Sequence, residues 1–275
     1  MSASGPAPEA AANAVAAAET GLLEVRGLVK RFGGVTAVNA LDMTVRPGDI
    51  HALIGPNGSG KTTTLNVISA LYRADGGSLR FDGAELIGRP SHAIAKLGIA
   101  RTFQNIRLFG DLSVIENVMI GRHVRTRTGF IGALLPGGAT AREERATRAR
   151  ALELLRFVDL ESAAGAAARS LPYGDQRRVE IARALASEPR LLLLDEPAAG
   201  MNPAETDTLV ALLRRIREQG TTLLLIEHDM NLVMSVSDRI TVLNFGQHIA
   251  EGPPEEIARN PDVITAYLGG TLDAA

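Results

Sequence analysis

Apolar residues fall along this chain in two rhythms, and their order sketches a sheet interleaved with helices. Strand-type runs come first: Leu22 to Val29, then Ala37 to Val45 with Leu41, Met43 and Val45 alternating, then Asp49 to Ile54. Lys30 to Gly34 reads as a loop between the first two, and Arg46-Pro47-Gly48-Asp49 is turn chemistry leading into the third. A helical pattern follows over Thr64 to Leu71, then a turn at Asp75-Gly76-Gly77, a strand over Ser78 to Gly83 and another over Ile99 to Phe103, ending at Gln104. From about 105 to 175 strands give way to helical patterns at 111–121 and 140–158, the second with Leu152, Leu155 and Val158 on one side and charges on the other. That change predicts a helical subdomain inserted in a sheet domain, with Gly129 to Gly138 as a loop or short hairpin. Leu191 to Leu194 and Thr221 to Ile226 suit strands buried on both faces. Arg239 to Asn244 and Gln247 to Glu251 predict a hairpin around Phe245-Gly246, and short helical stretches near 254–259 and 262–268 close the pattern.

Composition narrows the function classes. The chain has 275 residues, enough for one large domain or two modest ones, and a formal net charge of −2, so no basic excess invites nucleic acid. It has no cysteine, which removes disulfides, thiolate zinc sites and thiol nucleophiles from consideration. No apolar run approaches the ~18–20 residues that span a bilayer. Residues 1–20, rich in Ala and Pro and without Lys or Arg, lack the basic start and sustained apolar segment of a secretory signal and read as a disordered tail or a frayed helix. Arg142, Arg145, Arg148 and Arg150 suggest a binding patch, but Glu143 and Glu144 among them favour a solvated helix face.

The sharpest chemistry lies at Gly55-Pro56-Asn57-Gly58-Ser59-Gly60-Lys61-Thr62-Thr63, which has the spacing G-x-x-x-x-G-K-[ST] between a strand run and a helix pattern. Glycines there permit the positive φ values that turn successive N–H groups inward, and the helix start adds roughly half a positive charge. Lys61 supplies a full charge for the β- and γ-phosphates, and the Thr62 hydroxyl can ligate Mg²⁺. A second locus is Asp195-Glu196 at the end of the four-leucine run. A carboxylate there can hold the Mg²⁺ assembly, so Asp195 is assigned to the metal shell and Glu196 to orienting or deprotonating the attacking water. Gln104, at a strand's carboxyl end, lies on the edge where ligands bind and can touch Mg²⁺ or water. His228 follows the last buried strand and is either structural or a hydrogen-bond donor to a terminal phosphate. Phe32, beside Gly33 and Gly34, is either packed into its own domain or a platform for a flat ring.

These loci, in this order, resemble the nucleotide-binding subunit of an ATP-binding cassette (ABC) transporter over about residues 22–269. The most diagnostic part is Ser170-Leu171-Pro172-Tyr173-Gly174-Asp175-Gln176-Arg177-Arg178, in the place of the family's signature, which completes the ATP site of the opposing subunit. Leu171, Gly174 and Gln176 fit; Pro172 stands for the usual serine, Tyr173 for a glycine and Asp175 for a glutamine. Pro172 has neither hydroxyl nor N–H to offer a phosphate, so the Tyr173 and Gly174 backbone and the helix start must serve. That variant, with Arg101-Thr102-Phe103-Gln104 and Pro197 to Pro203, resembles the branched-chain amino acid importers, and within them the larger of two paired ATPase subunits.

The resemblance implies a P-loop α/β core, a mixed sheet with flanking helices and an antiparallel β subdomain, over 21–269, with the helical insert at 105–175 and a tail at 270–275. It implies ATP and Mg²⁺ as ligands, Phe32 stacked on adenine, Gln104 as sensor of Mg²⁺ and permease, and His228 as γ-phosphate switch. Ala199, Gly200 and Asn202 fall in the loop exchanged between subunits. The implied partners are membrane permease subunits, a second ATPase subunit (a sister chain or a copy) in a head-to-tail dimer and, indirectly, a periplasmic or extracellular solute-binding protein, with no nucleic acid. The place is the cytoplasmic face of the membrane. A non-transport ABC ATPase is the rival, but no coiled-coil, zinc or second-cassette insertion is visible; urea or amides are the rival cargo. No Asn-Lys-x-Asp guanine reader occurs.

Overall fold

The computed structural model describes residues 21–125 and 138–269; the tails expected at 1–20 and 270–275 and most of the 129–138 stretch lie outside the described residues. In chain order the elements are β1 (Leu23–Phe32), β2 (Val35–Val45), β3 (Ile50–Ile54), α1 (Lys61–Ile68), β4 (Gly76–Phe81), β5 (Ala84–Glu85), α2 (Ser91–Leu97), β6 (Ile99–Arg101), α3 (Val114–Gly121), α4 (Gly138–Phe157) and α5 (Tyr173–Leu185). Then follow β7 (Leu191–Asp195), α6 (Pro203–Glu218), β8 (Thr222–Ile226), α7 (Met230–Val236), β9 (Arg239–Asn244), β10 (Gln247–Gly252), α8 (Pro254–Ile257) and α9 (Pro261–Gly269).

Two sheets carry the fold. One is antiparallel, in the order β2-β1-β4-β5; the other runs β10-β9-β3-β8-β7-β6. Within the second, β3 is parallel to both β8 and β9, β7 to β8 and β6 to β7, and only β10 turns back. Four consecutive leucines make sense on this frame because side chains alternate faces along a strand. Leu191 and Leu193 pack with Leu53, Leu65 and the antiparallel sheet, while Leu192 and Leu194 join the helical face. Leu223 and Leu225 against Leu224 and Ile226 repeat the division one strand over. Each such side chain contributes roughly 1.5–3 kcal/mol by burial, so both faces of these strands are committed to core.

The first hairpin is tighter than its composition suggests. β1 continues through Lys30, Arg31 and Phe32, which pair with Val38, Thr36 and Val35, so only Gly33-Gly34 forms the turn. Cross-strand pairing overrides the loop character of the glycines. Likewise β6 stops at Arg101, although the Thr102 N–H still reaches the Leu193 carbonyl at 2.9 Å. On α4 the core positions are Ala151, Leu154 and Leu155, with Leu152 only partly buried. Helices α3, α4 and α5 form one layer, in which Val114, Val118, Leu154, Leu155, Val179 and Ala182 share a cluster. Arg142, Arg145 and Arg148 are exposed on α4, as befits a solvated face, whereas Arg150 is half-buried and lies 2.9 Å from Glu153 and 3.9 Å from Glu188.

His51 sits in the centre of the larger sheet, fully buried. The Thr241 hydroxyl donates to Glu251 Oε2 at 3.2 Å, so its oxygen accepts from His51 Nε2 at 2.8 Å, and His51 Nδ1 has no partner. Burial pushes the imidazole down from 6.5 to about 4. The unfolded chain therefore binds a proton near pH 6.5 that the folded chain refuses until about pH 4, so this group's stability is complete above 6.5 and drains as pH falls through that window. The loss amounts to roughly 3 kcal/mol. Denaturant unfolding of wild type and His51→Gln at pH 7, 5.5 and 4.5 should show the wild type losing about 2 kcal/mol more than the variant by pH 4.5, and parallel profiles would refute the assignment.

Candidate functional site

All the carboxyl ends of the parallel strands open on one edge, and that geometry gathers the residues. The loop of residues 55–60 leaves the end of β3, Asp195 ends β7, Glu227-His228 follows β8, and Gln104 lies three residues beyond β6.

The loop after β3 is wedged between its neighbours. A Cβ on Gly55 would stand 2.0 Å from the Leu243 carbonyl oxygen and one on Gly60 2.3 Å from that of Ala37, and Gly60 has φ +100°. Only glycine fits at either place. Asn57 and Gly58 are exposed at the tip, with Pro56 partly buried behind them. Gly60 caps α1 with no side-chain hydrogen bond and no acidic residue in the first turn, so the N–H groups of the first turn, Lys61 to Thr63, have no side-chain cap and no carboxylate there competes with an anion. The Ser59 hydroxyl is buried without a partner. Lys61 Nζ donates to the Gly55 and Pro56 carbonyls at 2.7 and 2.9 Å, which leaves one of its three protons for a ligand. Burial lowers its pKa, and the nearby Glu196 and Asp195 carboxylates oppose that.

Asp195 is 2% exposed. Its Oδ2 accepts from Arg101 Nη2 at 2.9 Å; Oδ1 is sealed from solvent with no donor in good geometry, and the Thr62 hydroxyl beside the carboxylate favours its ionised form. Burial raises the Asp195 pKa and Arg101 opposes the rise. An orphaned carboxylate oxygen next to an exposed threonine hydroxyl fits Mg²⁺, which prefers few protein ligands, several waters and phosphate oxygens. Among the described residues no cluster of three His, Cys, Asp or Glu could hold a metal ion.

Glu196 carries a φ of +46°, a left-handed backbone rare outside glycine. The turn aims its carboxylate back over the edge, where Oε2 accepts from Gln104 Nε2 at 2.7 Å and lies 3.9 Å from His228 Nδ1. His228, with 64% of its side chain exposed, also lies 3.9 Å from Glu227. Phe32 is 44% exposed at the end of β1, edge-to-face with Tyr72 at 5.2 Å and with Lys30 Nζ 5.1 Å from its centroid. It is thus a supported but open ring. Lys61, Thr62, Gln104, Asp195, Glu196 and His228 form one group.

The segment 171–176 is elsewhere. Among the described residues no hydrogen bond or ion pair links it to 55–63. It forms an outward surface with the loop after Glu196: Pro172, Tyr173, Gly200 and Asn202 are exposed, Ala199 is partly buried, and a Cβ on Gly200 would approach the Tyr173 ring at 3.4 Å. Leu171 and Gln176 are partly buried, the Gln176 amide donating to the Leu171 carbonyl at 2.9 Å, while Asp175 pairs with Arg178 at 2.6 Å. Gly174 is buried against Glu205. Asn202 caps α6 in a reciprocal capping box with Glu205.

Three groups escape a reading by sequence. Arg101, beyond its ion pair, donates to Asn66 and Ser69 at 2.7 and 2.9 Å and so ties β6, α1 and Asp195 together. Glu227, buried, accepts the Ala198 and His228 N–H groups at 2.8 and 3.1 Å, joining the loops after β7 and β8, and burial raises its pKa. Arg177 and Glu180 are buried on α5. No local signal marks them: on α5 Asp175, Arg178 and Arg183 stand beside Arg177 and Glu180, so the buried pair reads like any charged helix face.

Comparison with known proteins gives a consistent result. The sequence pattern of the family described as "ABC transporter" matches residues 38–199, and that described as "Branched-chain amino acid ATP-binding cassette transporter" matches 247–273. The chain is 49% identical to the high-affinity branched-chain amino acid transport ATP-binding protein BraF of Pseudomonas aeruginosa, over 90% of this chain and 98% of that one. It is 47% identical to the corresponding LivG of Escherichia coli K12, with the same coverage. Among solved structures it resembles a nucleotide-free ATP-binding cassette from an ABC transporter, with TM-score 0.79, 30% identity, and 90% and 98% of the two chains covered. A dimeric cassette in a post-hydrolysis state, bound to ADP and Pi, matches with TM-score 0.72 at 27% identity, covering 84% and 98%.

Proposed function

This chain belongs to the ABC transporter family, and on that footing we propose that it is the ATP-hydrolysing subunit of an importer for branched-chain amino acids. The observation that carries the reading is the convergence of Lys61, Asp195, Glu196, Gln104 and His228 at one sheet edge, in a chain whose C-terminal residues match the branched-chain class.

Residues 55–63 bind the phosphates of ATP: the glycine-shaped loop and the open first turn of α1 cradle them, and Lys61 spends its free proton on the β- or γ-phosphate. Phe32 stacks on the adenine, worth ~1–3 kcal/mol by analogy with base stacking elsewhere. Thr62, Asp195 and Gln104 are the residues that would hold Mg²⁺. The chemistry such an ion would supply is neutralisation of phosphate charge. Glu196 orients and deprotonates the attacking water, Gln104 fixes the Glu196 carboxylate, and His228 donates to the γ-phosphate. Phosphoryl transfer asks mainly for positioning and charge neutralisation, and this edge supplies both.

The site is finished by a second ATPase subunit, a sister chain or a copy, in a head-to-tail dimer. What supports this is the separation of 171–176 from the phosphate loop within the chain, and its exposure together with Gly200 and Asn202. Among the described residues no helix is long and apolar enough to cross a membrane. Membership of a transporter family supports attachment at the cytoplasmic face through permease subunits. A cavity of about 410 Å³ between α2, β6, α3 and α5, lined by Leu71, Ile94, Phe103 and Ile120, receives them beside Gln104. A solute-binding protein outside the membrane delivers the cargo.

The test is the ATPase of this chain purified with its permease, sister subunit and solute-binding protein in lipid. Leucine, isoleucine or valine should stimulate hydrolysis severalfold where urea and short amides do not; stimulation by amides alone would overturn the assigned cargo.

A further inference from the structure

Helix α5 carries Arg177, Glu180 and Arg183 at three-residue intervals, one stripe of its surface, and all three grip the loop that bears Gln104. Arg177 is fully buried. It donates to the Phe103 and Gln104 carbonyls, each at 2.7 Å, to Glu180 Oε2 at 2.8 Å and to the Tyr173 hydroxyl at 3.2 Å. Glu180, 1% exposed, accepts the Arg107 N–H at 3.3 Å, and Arg183 donates to the Arg107 carbonyl. The Arg107 guanidinium lies 4.5 Å from the Phe103 ring centroid. Both ends of the backbone from 103 to 107 are thereby fastened to one helix.

Stability alone does not call for such a device. Taking two charges out of water costs several kcal/mol each, and a well-packed apolar pair often serves a core as well or better. A planar guanidinium, by contrast, fixes two carbonyls at once in a set direction. The two carbonyls are those of Gln104 and its neighbour, and the Gln104 side chain holds Glu196. The helix so fastened begins at Tyr173, inside the segment offered to the second subunit.

We propose that Arg177 and Glu180 are positioning residues that make the helix after 171–176 and the Gln104 loop move as one body, so that engagement of that segment by a partner's nucleotide sets the Gln104–Glu196 contact. The link would give each subunit's own hydrolytic residues a report of the opposite site. It rests on the reading of the chain as an ATP-hydrolysing subunit.

The decisive variant is Arg177→Met combined with Glu180→Leu, which keeps the volume apolar and leaves no lone buried charge. Steady-state ATPase and amide hydrogen exchange over 103–107 are compared with wild type in the full chain with its partners. The expected result is kcat lowered about tenfold at unchanged KM, with faster exchange in the loop. Unchanged kcat in the folded double variant overturns the proposal. If that variant does not fold, Glu180→Gln, nearly isosteric and still an acceptor for Arg107, is expected to lower kcat severalfold at unchanged KM, and equal kcat and exchange overturn the proposal there. Wild-type protein without ATPase would sink the functional reading instead, whereas the exchange comparison needs no turnover.

Discussion

Glu196→Gln is expected to lower ATP turnover by about 10²–10⁴-fold, the usual worth of a positioned general base, while ATP binding persists. The geometry sets this apart from an ordinary acid-to-amide change. Glu196 is placed by a backbone at φ +46°, receives the Gln104 amide at 2.7 Å and faces His228 at 3.9 Å, so its carboxylate is fixed over the phosphate loop before any ligand arrives. Glutamine preserves size and one acceptor oxygen but cannot take a proton from water. The variant should therefore accumulate with ATP bound, and if two subunits share each nucleotide it should migrate as a dimer in ATP and as a monomer or loose pair without it. Gel filtration and a single-turnover assay read the two effects. Turnover within threefold of wild type would remove Glu196 from its role.

Much of the fold was legible because local signals and tertiary demands agree. Leu191 to Leu194, bounded by a turn, suit a strand with two buried faces, and the two faces are found in separate clusters. The phosphate loop was legible because its determinants are contiguous: glycines at positions where a Cβ has no room, then a lysine one residue into a helix. What stayed hidden depends on contacts between distant segments. Arg101 and Asp195 are 94 residues apart, and Arg177 reaches a carbonyl 74 residues away. Charged residues reside by default at the surface, so nothing local marks these as buried. The same reason misplaces Phe32: two glycines after it suggest a loop, whereas pairing with Val35 makes it the last residue of a strand and holds its ring at the open edge. Leu152 fits the helical period as well as Leu154 does, and only the packing partner decides which of them faces the core.

Lys61→Ala should remove both affinity and chemistry, and the two losses separate its roles. Lys61 is 8% exposed, holds the Gly55 and Pro56 carbonyls and lies near the Asp195 and Glu196 carboxylates. Without it a triphosphate would enter a site with two carboxylates and lose the side-chain cation that faces the loop, while Arg101 is already paired with Asp195. A hydrogen bond to a charged partner is worth about 1.5–3 kcal/mol, which predicts a weakening of ATP binding by roughly 10- to 150-fold. The same charge should act more strongly on the transition state than on bound ATP, because negative charge shifts toward the β–γ bridge as that bond breaks; removal of one preorganised donor elsewhere costs about 10²–10³ in kcat. Hydrolysis at saturating ATP should then fall by about that factor beyond the affinity loss. Alanine also leaves two loop carbonyls without their donor, so a thermal melt must accompany the binding titration. A variant that melts with wild type yet binds weakly locates the loss in the ligand contact. Wild-type affinity and turnover in Lys61→Ala would show that the cradle binds something other than the phosphates of ATP.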